Sequence, residues 1–140
     1  MRRIALVAGM VVCVSVSSVA AAPFFFASLQ ESAAILGASD EFTEALSPLD
    51  RAVRARIDPP PDPAEFRKFL ASQARPWPES QMSLLVPVLS EVSDRLSSLK
   101  VALPPRIALV LASERFEEGA PHTRGTAIVI PGSALGAPRG

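Results

Sequence analysis

The sequence predicts an α+β domain, several short helices followed by a small antiparallel β-hairpin or sheet. Three observations carry that prediction. Apolar residues at helical spacing run from Ser80 to Lys100, two proline-led helix starts precede them, and two short apolar runs close the chain. The 140 residues suffice for one small domain, and 14 prolines against 7 glycines keep its elements short.

The opening residues are set apart from that domain. Met1-Arg2-Arg3, an apolar run from Ile4 and small residues at Val19-Ala20-Ala21-Ala22 form the layout of a secretory leader over residues 1–22. Cleavage after Ala21 suits the sequence better than after Ala22, because Pro23 then stands one residue past the cut. The alternative is an uncleaved anchor, since Ile4 to Phe26 is long enough to cross a bilayer. Either way the chain is expected to be exported, periplasmic or secreted, or held on the outer side of the membrane through residues 1–26. The single cysteine, Cys13, lies in this run, so the mature part has neither disulfide nor thiolate.

Residues 23–61 read as a helical segment ending in a proline-rich linker. Phe24-Phe25-Phe26 either packs on the domain or belongs to an anchor. Ser28 to Leu36 forms a short helix stopped by Gly37, with Leu29, Ile35 and Leu36 as its buried face. Asp40 to Leu46 is weakly helical. Ser47-Pro48-Leu49-Asp50 opens another helix, with a capping hydroxyl, proline at the first position and an acid in the first turn. Leu49, Val53 and Ile57 stand four apart and are expected inward, leaving Arg51, Arg54 and Arg56 as a solvated face. Asp58-Pro59-Pro60-Pro61 then leaves the helix as a stiff connection.

Residues 62–131 are expected to hold the remaining helices and the hairpin. Asp62-Pro63-Ala64-Glu65 is a capping box with proline first in the helix, and Phe66, Phe69 and Leu70 are its inward residues. Trp77, between two prolines, reads as a lid over the core. Met82, Leu85, Leu89, Val92, Leu96 and Leu99 follow at spacings of three and four, a seam that must be covered by this chain or by a second copy. Pro87 falls opposite that seam and is expected to kink the helix or split it.

The last apolar runs are Ile107 to Ala112 and Thr126 to Pro131. Both are apolar on both faces, as in a strand covered on two sides. No helical pattern lies between them, so an antiparallel pairing is expected, with residues 132–140 as a disordered tail.

The loop between those runs gathers the candidate functional residues Glu114, Glu117, Glu118, His122 and Arg124. Loops on rigid strands often carry function, although polar residues at a hairpin tip also serve solubility. A zinc site needs three or four ligands, which lone His122 does not supply. No nucleophile elbow, phosphate loop or nucleotide fingerprint is present, so no catalytic residue, metal or cofactor is assigned. The formal charge is zero, and loss of Arg2 and Arg3 with the leader leaves 12 basic residues against 14 acidic ones. That balance excludes nucleic acid as a partner and leaves other partners open.

The segments Arg106-Ile107-Ala108-Leu109-Val110-Leu111, Glu117-Glu118-Gly119-Ala120 and His122-Thr123-Arg124-Gly125-Thr126-Ala127-Ile128-Val129-Ile130-Pro131 resemble a region of exported bacterial proteins of the zincin-like metallopeptidase type. The resemblance covers about residues 104–131. It implies strands lying just before a helix with His-Glu-x-x-His, which carries two zinc ligands and a general base. Residues 132–140 contain no His, Glu or Cys, so none of those roles is carried over. The expectation is a non-catalytic forward part of such a protein, truncated or surviving as a remnant. A small, self-contained exported binding or structural module is the alternative.

Overall fold

The computed structural model describes residues 19–136. Its elements are β1 (Val19–Ala21), β2 (Phe24–Phe26), α1 (Leu29–Leu36), α2 (Glu41–Ala45), α3 (Pro48–Ala55), α4 (Pro63–Ser72), β3 (Ala74–Arg75) and α5 (Glu79–Ser98). They are followed by β4 (Ile107–Ala112), a 3-10 turn (Phe116–Gly119), β5 (His122–Arg124), β6 (Ala127–Pro131) and α6 (Gly132–Leu135). The fold is α+β, with helices on both faces of one mixed sheet. The leader expected over residues 1–22 falls outside the described residues as far as residue 18, and its last residues pair as β1 with β2. No helix among the described residues is long and apolar enough to cross a membrane.

The helices begin where local chemistry sets them. Ser28, Asp40, Ser47 and Asp62 each accept a hydrogen bond from the amide three residues on, and each cap amide is in turn satisfied by Glu31, Thr43, Asp50 or Glu65. Pro48 and Pro63 occupy first-turn positions whose amides would have no partner within the helix. α5 runs through Pro87 as one helix, and Pro87 is exposed, so the carbonyl left unpaired can be hydrated.

The sheet runs β1-β2-β4-β6-β5, with β3 antiparallel to the end of β4. β2 and β6 flank β4, and both are parallel to it. The antiparallel hairpin expected between the two apolar runs is therefore corrected: Ala108 stands beside Ala127 and Ala112 beside Pro131, in parallel register. After β4 the chain crosses over through the 3-10 turn, descends as β5, and reverses at Gly125, whose φ of 56° suits glycine. β6 then rises between β4 and β5. Within this stretch the antiparallel pair is the short one between β5 and β6. A crossover of this length has room to reverse direction without a full helix, so the missing helical pattern did not decide the pairing.

β4 is buried along its whole length. Ala108, Val110 and Ala112 face one cluster with Leu36, Phe66, Leu70 and Val129, under the layer of α1 and α4. Ile107, Leu109 and Leu111 face a second cluster with Phe24, Phe26 and Trp77, under α5. Trp77 closes that side, its ring edge-on to Phe26 at 5.1 Å and its indole N–H donating to the Leu109 carbonyl at 2.9 Å.

The α5 seam is covered in part. Met82, Leu85 and Leu89 pack on the second cluster, whereas Val92 is exposed and Leu99 is 66% exposed. Leu96 is half-buried, and the second half of α5 lies beside the start of the sheet, where the Ser93 hydroxyl donates to the Ala22 carbonyl at 3.0 Å. At the other end of the chain, Gly132–Leu135 forms a helical turn, a correction to the disordered tail expected from 132; residues 137–140 lie outside the described residues.

α3 is the larger correction. Its expected inward residues point to solvent, with Leu49 71% and Val53 68% exposed, while Arg51 is 8% exposed. Arg51 turns inward because two backbone carbonyls need it. Its Nε donates to Pro61 at 2.9 Å and its terminal amine donates to Leu46 at 2.6 Å. Those bonds clamp the ends of the α3 segment, and Arg51 with the small Ala55 fills the inner face.

Candidate functional site

The connection from β4 to β6 was expected to be a solvated loop tip, and it is a clamp. Ser113 fixes its start, its amide donating to the Gln73 carbonyl at 2.8 Å and its hydroxyl donating to Gln73 Oε1 at 2.7 Å. Phe116 is buried in the first cluster and anchors the 3-10 turn. Glu117 and Glu118 follow in the left-handed region, at φ 47° and 59°, and Gly119 at φ 80°. Two left-handed carboxylate residues in succession are a conformational cost that the surrounding contacts must offset.

Three of the five predicted candidates have structural partners. Glu117 forms an ion pair with Arg54 of α3, whose guanidinium also lies 5.1 Å from the centre of the Phe42 ring. Arg124 donates to the carbonyl of Leu36 at 2.5 Å, satisfying the end of α1, and stands 3.6 Å from the Asp40 carboxylate. His122 stacks on Phe116 at 5.8 Å, with Nδ1 3.1 Å from the Ala120 carbonyl. Glu118 is exposed, and Glu114 contributes its main chain, its carbonyl accepting from the Ser133 amide at 3.2 Å. The structure thus brings Glu117, His122 and Arg124 around one cavity of about 400 Å³, joined there by Asp40, Phe42 and Arg54. Glu114 and Glu118 are not part of it.

Asp40, Phe42 and Arg54 were not among the predicted site residues. The signal for Asp40 was present as a helix cap, and Arg54 was visible as one of a basic trio. What joins them is the crossover, which lays the loop across the α2 and α3 layer.

A second, larger groove of about 660 Å³ lies between α3 and the 3-10 turn. Leu49 and Val53 form one wall, Arg115, Phe116 and Glu118 the other, and Phe69 contributes from α4. Its charges are mixed, with Arg54, Arg56 and Arg115 against Asp50, Glu117 and Glu118. Neither concavity offers a metal site, since no three His, Cys, Asp or Glu side chains among the described residues are grouped to hold an ion.

Two carboxylates respond to this environment. Burial acts to raise Asp40, but hydrogen bonds from Thr43 and the nearby Arg124 guanidinium together hold it below the usual carboxylate value. Asp50 is lowered by the hydroxyl of Ser47, which donates at 2.6 Å, and by the Ser47 amide at 3.2 Å. Both groups therefore bind protons more weakly folded than unfolded. Their contribution is fully present above the ordinary carboxylate value of about 4 and is lost as pH falls through the lower folded values. Urea midpoints measured from pH 6 to pH 2 should hold steady and then decline below about pH 4. Asp40→Asn should flatten part of that decline, and an unchanged acid limb would contradict the assignment.

No family model, curated protein or solved structure matches the chain.

Proposed function

We propose that the chain is the exported, non-catalytic forward part of a zincin-like protein of the metallopeptidase type, a scaffold that positions a strand for a helix to follow. The observation that carries the reading is at the end of the sheet. β6 is buried beside β4 and passes at Pro131 straight into the helical turn Gly132–Leu135. That strand-into-helix order is the one the resemblance implies ahead of a His-Glu-x-x-His helix. The clamp supports the same role. The Ser133 amide donates to the Glu114 carbonyl, and a side chain at Gly119 would collide with the Ser133 hydroxyl at 2.7 Å, so loop and helix start are fitted to each other. Export rests on the basic start and apolar run of residues 1–22.

Coverage of the sheet on both faces favours a second reading, a self-contained exported binding or structural module. Reading the DNA directly beyond codon 140 separates the two. A His-Glu-x-x-His coding stretch in any frame supports the scaffold reading, and its absence leaves the module. For the purified 140-residue chain, incubation with zinc and a peptide mixture is expected to give neither stoichiometric metal uptake nor hydrolysis. Zinc-dependent cleavage would overturn the non-catalytic assignment.

A further inference from the structure

We propose that the cavity of about 400 Å³ beside β5 binds a small organic monocarboxylate with an apolar body, which takes the Arg54 guanidinium in place of Glu117. This goes beyond the scaffold reading and does not depend on it. The starting point is the ion pair in the cavity wall. Arg54 of α3 and Glu117 of the crossover lie 63 residues apart in the chain, and their side chains are 34% and 25% exposed. A pair this open to solvent contributes little by itself. The backbone beneath it is costly, with Glu117 (φ 47°, ψ 48°) and Glu118 (φ 59°, ψ 20°) both in the left-handed region that residues bearing a side chain seldom adopt. A weak contact on a costly backbone is open to replacement by a competitor.

The charges say what that competitor is. Arg54 and Arg124 line the cavity against Asp40 and Glu117, so these four groups balance. Arg124 is committed to the fold: it donates to the Leu36 carbonyl, stands 3.6 Å from the Asp40 carboxylate, and is 10% exposed. Arg54 is held by a side chain that can rotate away. Once Glu117 withdraws, two guanidinium groups face one carboxylate, and the single excess positive charge suits a single carboxylate, which a guanidinium fork binds through two parallel hydrogen bonds. The withdrawn Glu117 has a place to go, because it also lines the adjoining groove, where Arg56 and Arg115 stand. The apolar body follows from Phe42, which is 54% exposed in the same cavity with its ring centre 5.1 Å from the Arg54 guanidinium. A carboxylate on Arg54 therefore lays its hydrocarbon against that ring. The volume is near the lower end of small-molecule sites, which suits a compact acid and not a polypeptide.

The test uses the full 140-residue chain with 3-phenylpropionate as the probe, followed by isothermal titration calorimetry. Wild type should bind it weakly, with Kd of about 1 mM or above, because Glu117 competes for the same group. Glu117→Gln keeps the side-chain length and removes the competing charge, so it should bind about tenfold more tightly. Arg54→Met and Arg54→Gln should each lose saturable binding, alone or combined with Glu117→Gln. Phe42→Ala in the Glu117→Gln background should weaken binding about fivefold. The amide 3-phenylpropionamide, of the same shape but uncharged, should bind to none of them. Circular dichroism checks that each variant folds. The proposal is overturned if Glu117→Gln binds no more tightly than wild type or fails to saturate by about 20 mM, if the amide binds as well as the acid, or if a folded Arg54 variant still binds. Undiminished binding by Phe42→Ala overturns the placement of the apolar body.

Discussion

Phe66→Ala is expected to lower the free energy of unfolding by about 3–5 kcal/mol, one of the two largest losses open to a single substitution in this chain. Phe66 is 1% exposed and lies on α4 at the centre of the first core cluster, with Leu36, Leu70, Val110 and Val129. Its ring stacks on Phe69 at 6.2 Å, with 24° between the planes. Removing it subtracts the transfer energy of the ring and leaves a cavity. The walls cannot close over it, because α1 and α4 already touch: a Cβ on Gly37 would stand 2.9 Å from that of Ala71. Domains of this size are stable by only about 5–15 kcal/mol, so the variant should sit near the edge of folding. Urea denaturation should show a much lower midpoint with an unchanged slope. Phe69→Ala, at a half-buried position on the same helix, should cost distinctly less. Equal losses would mean that the sheet is not packed through Phe66.

Local signals placed the helix starts correctly but not every inward residue, since Leu29, expected on the buried face of α1, is 50% exposed. The Ser47-Pro48 and Asp62-Pro63 starts, the helix after Ser28 and the two-sided burial of Ile107 to Ala112 are all decided by neighbours within a few residues or by unbroken apolarity. The pairing of β4 with β6 is decided elsewhere. Nothing in either strand distinguishes parallel from antiparallel; the crossover does, through a 3-10 turn with two left-handed glutamates that carry no recognisable turn signature. Phe24 to Phe26 likewise read as leader or domain, until its pairing with β4 made it a strand of the sheet. The polar connection between the two apolar runs was legible in the sequence, but its partners were not visible in it. Arg54 lies 63 residues from Glu117 and Leu36 lies 88 residues from Arg124. Helical periodicity cannot report such separations, and only closure of the sheet creates them.

Arg51→Met is the second large effect and tests why α3 faces the way it does. Methionine keeps an unbranched, flexible apolar stem and so fills much of the buried space. It cannot donate. The carbonyls of Leu46 and Pro61 would lose their hydrogen bonds from the guanidinium, the Pro61 one at a buried position. Bonds from a charged donor contribute about 1.5–3 kcal/mol each, and because the two share one side chain the combined loss should be about 2–4 kcal/mol. Arg51→Lys should recover little, since one ammonium cannot reproduce the planar fork that reaches both carbonyls. The damage should also be local. Leu46 leads into α3, and Pro61 closes the proline-rich segment that leaves it, so both ends of this stretch should loosen while the sheet remains paired. Limited trypsin digestion reads that directly: cleavage after Arg56 should be faster in Arg51→Met than in wild type, with cleavage after Lys68 on α4 unchanged. If Arg51→Met were as stable as wild type, or were cut at both sites alike, the buried guanidinium would not be what orients the helix, and the outward turn of Leu49 and Val53 would need another cause.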